Sequence, residues 1–94
     1  MLLVLPLREE FARTAPAVDH FGTARIQTVA AGWNPLFHSL LTGFQERSGL
    51  GCVLNTSFNL RGEPIVATPQ HAISTFERSD LDLLVIEDCV VSRR

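Results

Sequence analysis

Cys52-Val53-Leu54-Asn55-Thr56-Ser57-Phe58-Asn59-Leu60-Arg61-Gly62-Glu63-Pro64 decides how this chain is read. A short apolar run, the pattern of a buried strand, gives way at once to two amides, two hydroxyls, a guanidinium, a glycine and a carboxylate. A plain connection needs a glycine or proline and some polarity. It does not need that variety of hydrogen-bonding groups at fixed offsets. A dense polar loop at the end of a strand is where a rigid scaffold presents side chains to a bound molecule. If the segment is extended, Ser57 and Asn59 point the same way and can share one ligand. Gly62 permits a positive φ or a close approach, and Arg61 can pair with phosphate, with carboxylate, or with Glu63. The bland alternative is an Asx-type loop whose asparagines and serine satisfy only its own backbone.

Working outward, Asn34-Pro35 is a helix start, with asparagine as cap and proline in the first turn. Leu36, Phe37, Leu40, Leu41 and Phe44 follow at helical spacing, and Gly49 with Gly51 supplies the stop. Downstream, Pro64 to Ala67 reads as extended. Thr68-Pro69 repeats the cap-and-proline device and opens a helix to about Arg78, with Ala72, Ile73 and Phe76 inward. Leu83 to Ile86 and Cys89 to Val91 read as strands around the acidic turn Glu87-Asp88. On the other side, Met1 to Leu5 reads as a strand buried on both faces, with nothing before it, which suggests a fragment. Arg8-Glu9-Glu10 begins a helical turn to about Arg13, and Pro16 forces an extended segment. Asp19-His20-Phe21-Gly22 is a turn, and Thr23 to Ala30 alternates enough to favour a second strand. The order β, β, α, β, loop, α, β, β gives an α/β (α+β) fold with a mixed twisted sheet and two main helices, in one domain spanning residues 1–94.

Ninety-four residues suit a small core, and a hydrophobic fraction of 46% argues against disorder. A net charge of −2 gives no electrostatic case for nucleic acid or an anionic membrane. No stretch approaches the roughly 20 apolar residues of a membrane span, and a cytoplasmic home is expected. All eight cations are arginine. The missing lysine matters, because triphosphate sites commonly use one as a point charge. Cys52 and Cys89 lie in apolar runs and read as buried thiols rather than a disulfide. His20, His38 and His71 share no ligand spacing, so no metal site is expected. His38 and His71 read as solvated, and Trp33 as core or an exposed docking group. Arg25, within Gly22-Thr23-Ala24-Arg25-Ile26-Gln27-Thr28, reads either as an exposed strand arginine or as a fork for a phosphate or carbamoyl group.

Together, Gly22 to Val29, Asn34-Pro35, Leu54 to Asn59 and Gly62-Glu63-Pro64-Ile65-Val66 resemble the C-terminal part of the carbamoyltransferase family, which includes nodulation-factor and antibiotic-tailoring O-carbamoyltransferases. The resemblance runs from about Met1 to Val91 and covers only the tail of members several times longer. It implies a YrdC-like C-terminal domain that combines carbamoyl phosphate with ATP, giving carbamoyl-adenylate and pyrophosphate. A separate N-terminal domain, with an iron-type metal, then transfers carbamoyl to a hydroxyl of a small metabolite. In the similar threonylcarbamoyl-adenylate synthases a Lys-x-Arg and a Ser-x-Asn pair surround the nucleotide. Thr56-Ser57-Phe58-Asn59 followed by Gly62 is similar to the second of these loops.

The resemblance therefore implies catalytic roles for Arg25, Ser57 and Asn59. It implies nucleotide contacts from Asn55, Thr56, Ser57, Asn59, Arg61 and Gly62. ATP with magnesium and carbamoyl phosphate are the expected substrates, and the upstream transferase domain the expected partner. The Lys-x-Arg half has no match here, so the chain alone is expected to be inactive. The competing expectation is a non-catalytic remnant that binds nucleotide weakly or dimerises through an exposed sheet edge.

Overall fold

The computed structural model describes residues 3–93, which form two compact units, one ending at Asn55 and the other beginning at Thr56. The α/β expectation holds, with helices and antiparallel strands in one chain. Among the described residues the strands pair as two separate two-stranded antiparallel ribbons rather than as one sheet.

In the first unit, β1 (Val4–Pro6) pairs with β2 (Thr23–Arg25), with Val4 opposite Arg25 and Pro6 opposite Thr23. Helix α1 (Glu9–Thr14) lies between them, with Glu9 and Glu10 in its first turn and Arg13 in its last. That polarity matches the helix dipole. Pro16–Val18 forms a 3-10 turn, not the extended segment expected. The ring of Pro16 fixes φ at a value both conformations share, and the amides of Val18 and Asp19 bond back to Ala15 and Pro16. A tight turn at His20–Thr23 then leads into β2. The two residues exchange backbone hydrogen bonds, and Phe21 and Gly22 both take positive φ, at 52° and 78°. The Asp19 carboxylate accepts from the Gly22 amide at 2.8 Å. Positive φ at both central positions is the signature of the hairpin turn whose twist suits paired strands.

Three further expectations for this unit are corrected. Strand β2 ends at Arg25 rather than Ala30, and among the described residues its pairing with β1 stops at Val4 opposite Arg25. Cys52 to Leu54 forms no strand, and no backbone hydrogen bond ties it into a ladder among the described residues. The first strand is not buried on both faces: Val4 is 58% exposed and Leu3 more so. Met1 and Leu2, which belonged to that expected strand, lie outside the described residues.

Helix α2 (Pro35–Ser48) follows its local signals closely. The Asn34 side chain accepts from the Phe37 amide at 3.1 Å, and Gly49 ends the helix at φ 76°. A left-handed cap of this kind costs glycine nothing. The helix has no buried residue among those described. Trp33, just ahead of it, is 84% exposed.

The second unit carries the better core. Helix α3 (Pro69–Glu77) is capped by Thr68, whose hydroxyl accepts from the His71 amide at 3.2 Å. Strands β3 (Leu83–Ile86) and β4 (Cys89–Ser92) form a hairpin with Ile86 opposite Cys89. Ala72, Phe76 and Leu84 are buried together, and Phe58, Val66 and Ile86 pack against them. Phe58 thereby fastens the polar loop to α3. Arg93 closes the far end: its guanidinium donates to the carbonyls of Phe76, Ser79 and Leu81 and lies 5.1 Å from the centre of the Phe76 ring. A cation at a helix C-terminus satisfies carbonyls that have no partner within the helix.

Candidate functional site

The polar loop is ordered by its own backbone and by one side chain. The Val66 amide donates to the Phe58 carbonyl at 3.0 Å and closes the loop at its base. At the tip, the Glu63 amide donates to the Leu60 carbonyl at 3.0 Å, and Gly62 sits at φ 85°. Positive φ at the third residue of a turn excludes ordinary side chains, which explains glycine there. The Asn59 side chain spans the same turn, its Nδ2 donating to the Leu60 carbonyl at 3.2 Å and the Glu63 carbonyl at 3.0 Å. Two carbonyls on one side fix which end of the amide is nitrogen.

Asn59 Oδ1 is consequently buried with no hydrogen-bond partner. A buried acceptor left unpaired costs free energy and calls for an explanation. The half of the amide that remains is an acceptor. A ligand reaching Asn59 must therefore bring an N–H or O–H, which an ionised phosphate lacks. Ser57, Thr56, Asn55 and Arg61 are exposed. Ser57 has no hydrogen-bonding partner among the described residues, so its hydroxyl is available to a ligand as donor or acceptor.

The loop is held to α3 from outside as well. Arg78 grips the Glu63 carboxylate with both terminal nitrogens, at 2.5 Å and 3.0 Å, while its Nε donates to the Ser74 carbonyl at 3.2 Å. The direct hydrogen bonds from Arg78 hold the Glu63 carboxyl below its ordinary value; desolvation opposes them, and the charge of the guanidinium adds the smallest share. The same contact raises the Arg78 guanidinium further. Sequence reasoning missed this pair. The partners lie 15 residues apart, and no periodicity links a loop carboxylate to the residue that ends the next helix.

The remaining candidates stand in the first unit. Arg25 is exposed at the end of β2, and with Asn55 it lines an open cleft of about 1200 Å³. His20, Trp33, His38 and Gln45 line the same cleft. The structure thus groups Arg25 with Asn55, and separately groups Thr56, Ser57, Asn59, Arg61 and Gly62 within one loop. The two histidines read from sequence as a turn residue and a solvated residue are both cleft residues. Among the described residues no three histidine, cysteine or acidic side chains cluster as a metal site would need, and no helix is long and apolar enough to cross a membrane.

The chain is 41% identical over 95 residues to nodulation protein NolO of Bradyrhizobium diazoefficiens, covering all of this chain and 17% of that protein. It is 35% identical over 89 residues to the 3'-hydroxymethylcephem-O-carbamoyltransferase of Streptomyces clavuligerus, covering 94% of this chain and 17% of the enzyme. An uncharacterized protein of Synechocystis sp. is 46% identical over 79 residues, covering 83% of this chain and 13% of that protein. The chain therefore spans between 13% and 17% of the length of these relatives. A family model, carbamoyltransferase C-terminus, matches residues 1–93. The chain belongs to the carbamoyltransferase C-terminus family.

Proposed function

We propose that this chain contributes part of the site at which an O-carbamoyltransferase forms carbamoyl-adenylate from carbamoyl phosphate and ATP. The observation that carries the reading is the loop from Asn55 to Gly62. Its shape is fixed by the Asn59 amide, yet it leaves the Ser57 hydroxyl and the Arg61 guanidinium open to a ligand and the buried Asn59 Oδ1 without a partner. Adenylation of a poor acyl donor requires two anions to be held in line and their charge neutralised. A carbamoyl oxygen attacks the α-phosphorus of ATP, the bond to the β-phosphate breaks, and pyrophosphate leaves. Water supplies the balance: it takes the phosphoryl group of carbamoyl phosphate away as inorganic phosphate and leaves the carbamate whose oxygen makes that attack.

Each residue has a role that its geometry permits. Arg61 and Arg25 offer forks to phosphoryl oxygens. Ser57 can donate to the adenylate phosphate. Asn59, as an acceptor, suits the carbamoyl amino group or a ribose hydroxyl. Magnesium would arrive with ATP as part of the substrate and would offset its phosphate charge. Transfer of carbamoyl to an acceptor hydroxyl, and the iron-type metal that goes with it, belong in this reading to the N-terminal domain of the longer family members. This chain by itself is then inactive, and the reaction takes place in the cytoplasm.

Arg25 provides the test. In the complete enzyme, Arg25→Ala should raise the carbamoyl phosphate concentration needed for half-maximal pyrophosphate release by about tenfold, since a hydrogen bond to a charged group is worth roughly 1.5–3 kcal/mol. The ATP requirement should move by less than half as much. Equal losses for both substrates contradict its assignment to the carbamoyl or phosphate group.

A second reading, a non-catalytic module that dimerises, rests on the outer face of the β3–β4 hairpin. Val85 and Val90 stand opposite one another there and are both about two-thirds exposed. Stable dimers that form without ATP, in a protein with no affinity for nucleotide, are the outcome that reading requires.

A further inference from the structure

Glu63 is the carboxylate of the loop, and Arg61 lies two residues before it across Gly62. In an isolated peptide these opposite charges attract, and a neutralised Arg61 makes a poor anion contact. The structure places the carboxylate elsewhere. Both Glu63 oxygens are taken by Arg78, which is itself anchored to the Ser74 carbonyl of α3. Arg61 has no ion-pair or hydrogen-bond partner among the described residues and is exposed at the turn.

We infer that Arg78 serves as a charge-segregating residue: by holding Glu63 against α3 it leaves Arg61 free to bind the phosphate groups of a nucleotide. This rests on the adenylate reading and gives that site its principal polyphosphate contact. Arg78 does not touch the ligand and acts through Glu63, so it is a positioning residue. A bidentate fork suits the task, because it fixes the orientation of the carboxylate as well as its distance. With Arg78 removed, Glu63 is released to neutralise Arg61 or to repel the incoming phosphates.

The inference differs from a merely structural role in a way that substitutions can read. Binding of ATP, and separately of inorganic pyrophosphate, is measured by titration calorimetry on the complete protein. Arg61→Gln should weaken both by about tenfold, the worth of a hydrogen bond to a charged group. Arg78→Gln should weaken both by about fivefold, the effect of one unit charge a few ångströms away in water. That second loss should shrink in high salt, where exposed charges are screened. Glu63→Gln should bind as the wild type does or more tightly. Glu63→Gln with Arg78→Gln should return to within about twofold of wild type, since no carboxylate remains to compete.

A double variant no better than Arg78→Gln alone overturns the inference. So does an Arg61→Gln protein with undiminished affinity, or a wild-type protein that binds neither ATP nor pyrophosphate. Failure of the adenylate reading looks different. The pyrophosphate cycle then keeps its pattern, while the wild-type enzyme releases no pyrophosphate from ATP in response to carbamoyl phosphate.

Discussion

Replacing Ser57 and Asn59 together by alanine is expected to lower carbamoyl phosphate-dependent release of pyrophosphate from ATP by about a hundredfold or more in the complete enzyme, the scale seen when one donor aimed at developing charge is removed, here the Ser57 hydroxyl. The two residues contribute differently. Ser57 is exposed and lacks a hydrogen-bonding partner among the described residues. Ser57→Ala alone should therefore leave stability within about 0.5 kcal/mol of wild type, so any loss of rate reports on the ligand. Asn59 has a double duty, because its Nδ2 also spans the turn from Leu60 to Glu63. Its replacement should loosen the loop and remove the acceptor at once. Normal pyrophosphate release in the double variant contradicts the assignment of both residues.

The largest effect on stability is expected at Phe76, which is 5% exposed. Phe76→Ala should destabilise the second unit by about 3–5 kcal/mol, the usual cost of emptying a buried aromatic site. The core here is small, with Ala72 and Leu84 as the other buried members, and few neighbours can collapse into the space. The ring also faces the Arg93 guanidinium, so that contact goes with it. Because Phe58 packs on the same cluster, the loop should lose order along with the core. Chemical denaturation followed by circular dichroism reads the stability change. A loss below about 1 kcal/mol would mean that this cluster is not what holds the unit together.

What could be read from sequence was mostly what is decided locally. Asn34-Pro35, Gly49 and Thr68-Pro69 set the limits of α2 and the start of α3, because capping depends on residues within one turn. The β3–β4 hairpin and its acidic turn were legible for the same reason. Strand lengths were not. The partial alternation from Thr23 to Ala30 does not set how far a strand pairs, and among the described residues β1 pairs with three of its residues. Cys52-Val53-Leu54 has the composition of a strand and finds no ladder among the described residues. Pro16 restricts φ without choosing between an extended segment and a 3-10 turn.

The site divides along the same line. The loop and the glycine its turn requires were visible as a motif. That Asn59 would turn its nitrogen inward was not, because it depends on where the Leu60 and Glu63 carbonyls fall. The grip of Arg78 on Glu63 joins a loop to the end of a helix, and only the folded chain brings those groups together. The consequence for Arg61 follows from that contact alone.

The loop's role is most directly tested by titrating this chain with magnesium-ATP while following its backbone and side-chain amide resonances by NMR. Progressive shifts at Ser57, at Arg61 and at the side-chain amide of Asn59, with the β3–β4 strands unmoved, are the predicted result. An unchanged loop at millimolar nucleotide, or shifts confined to other parts of the chain, would contradict the proposal that these side chains meet the adenylate.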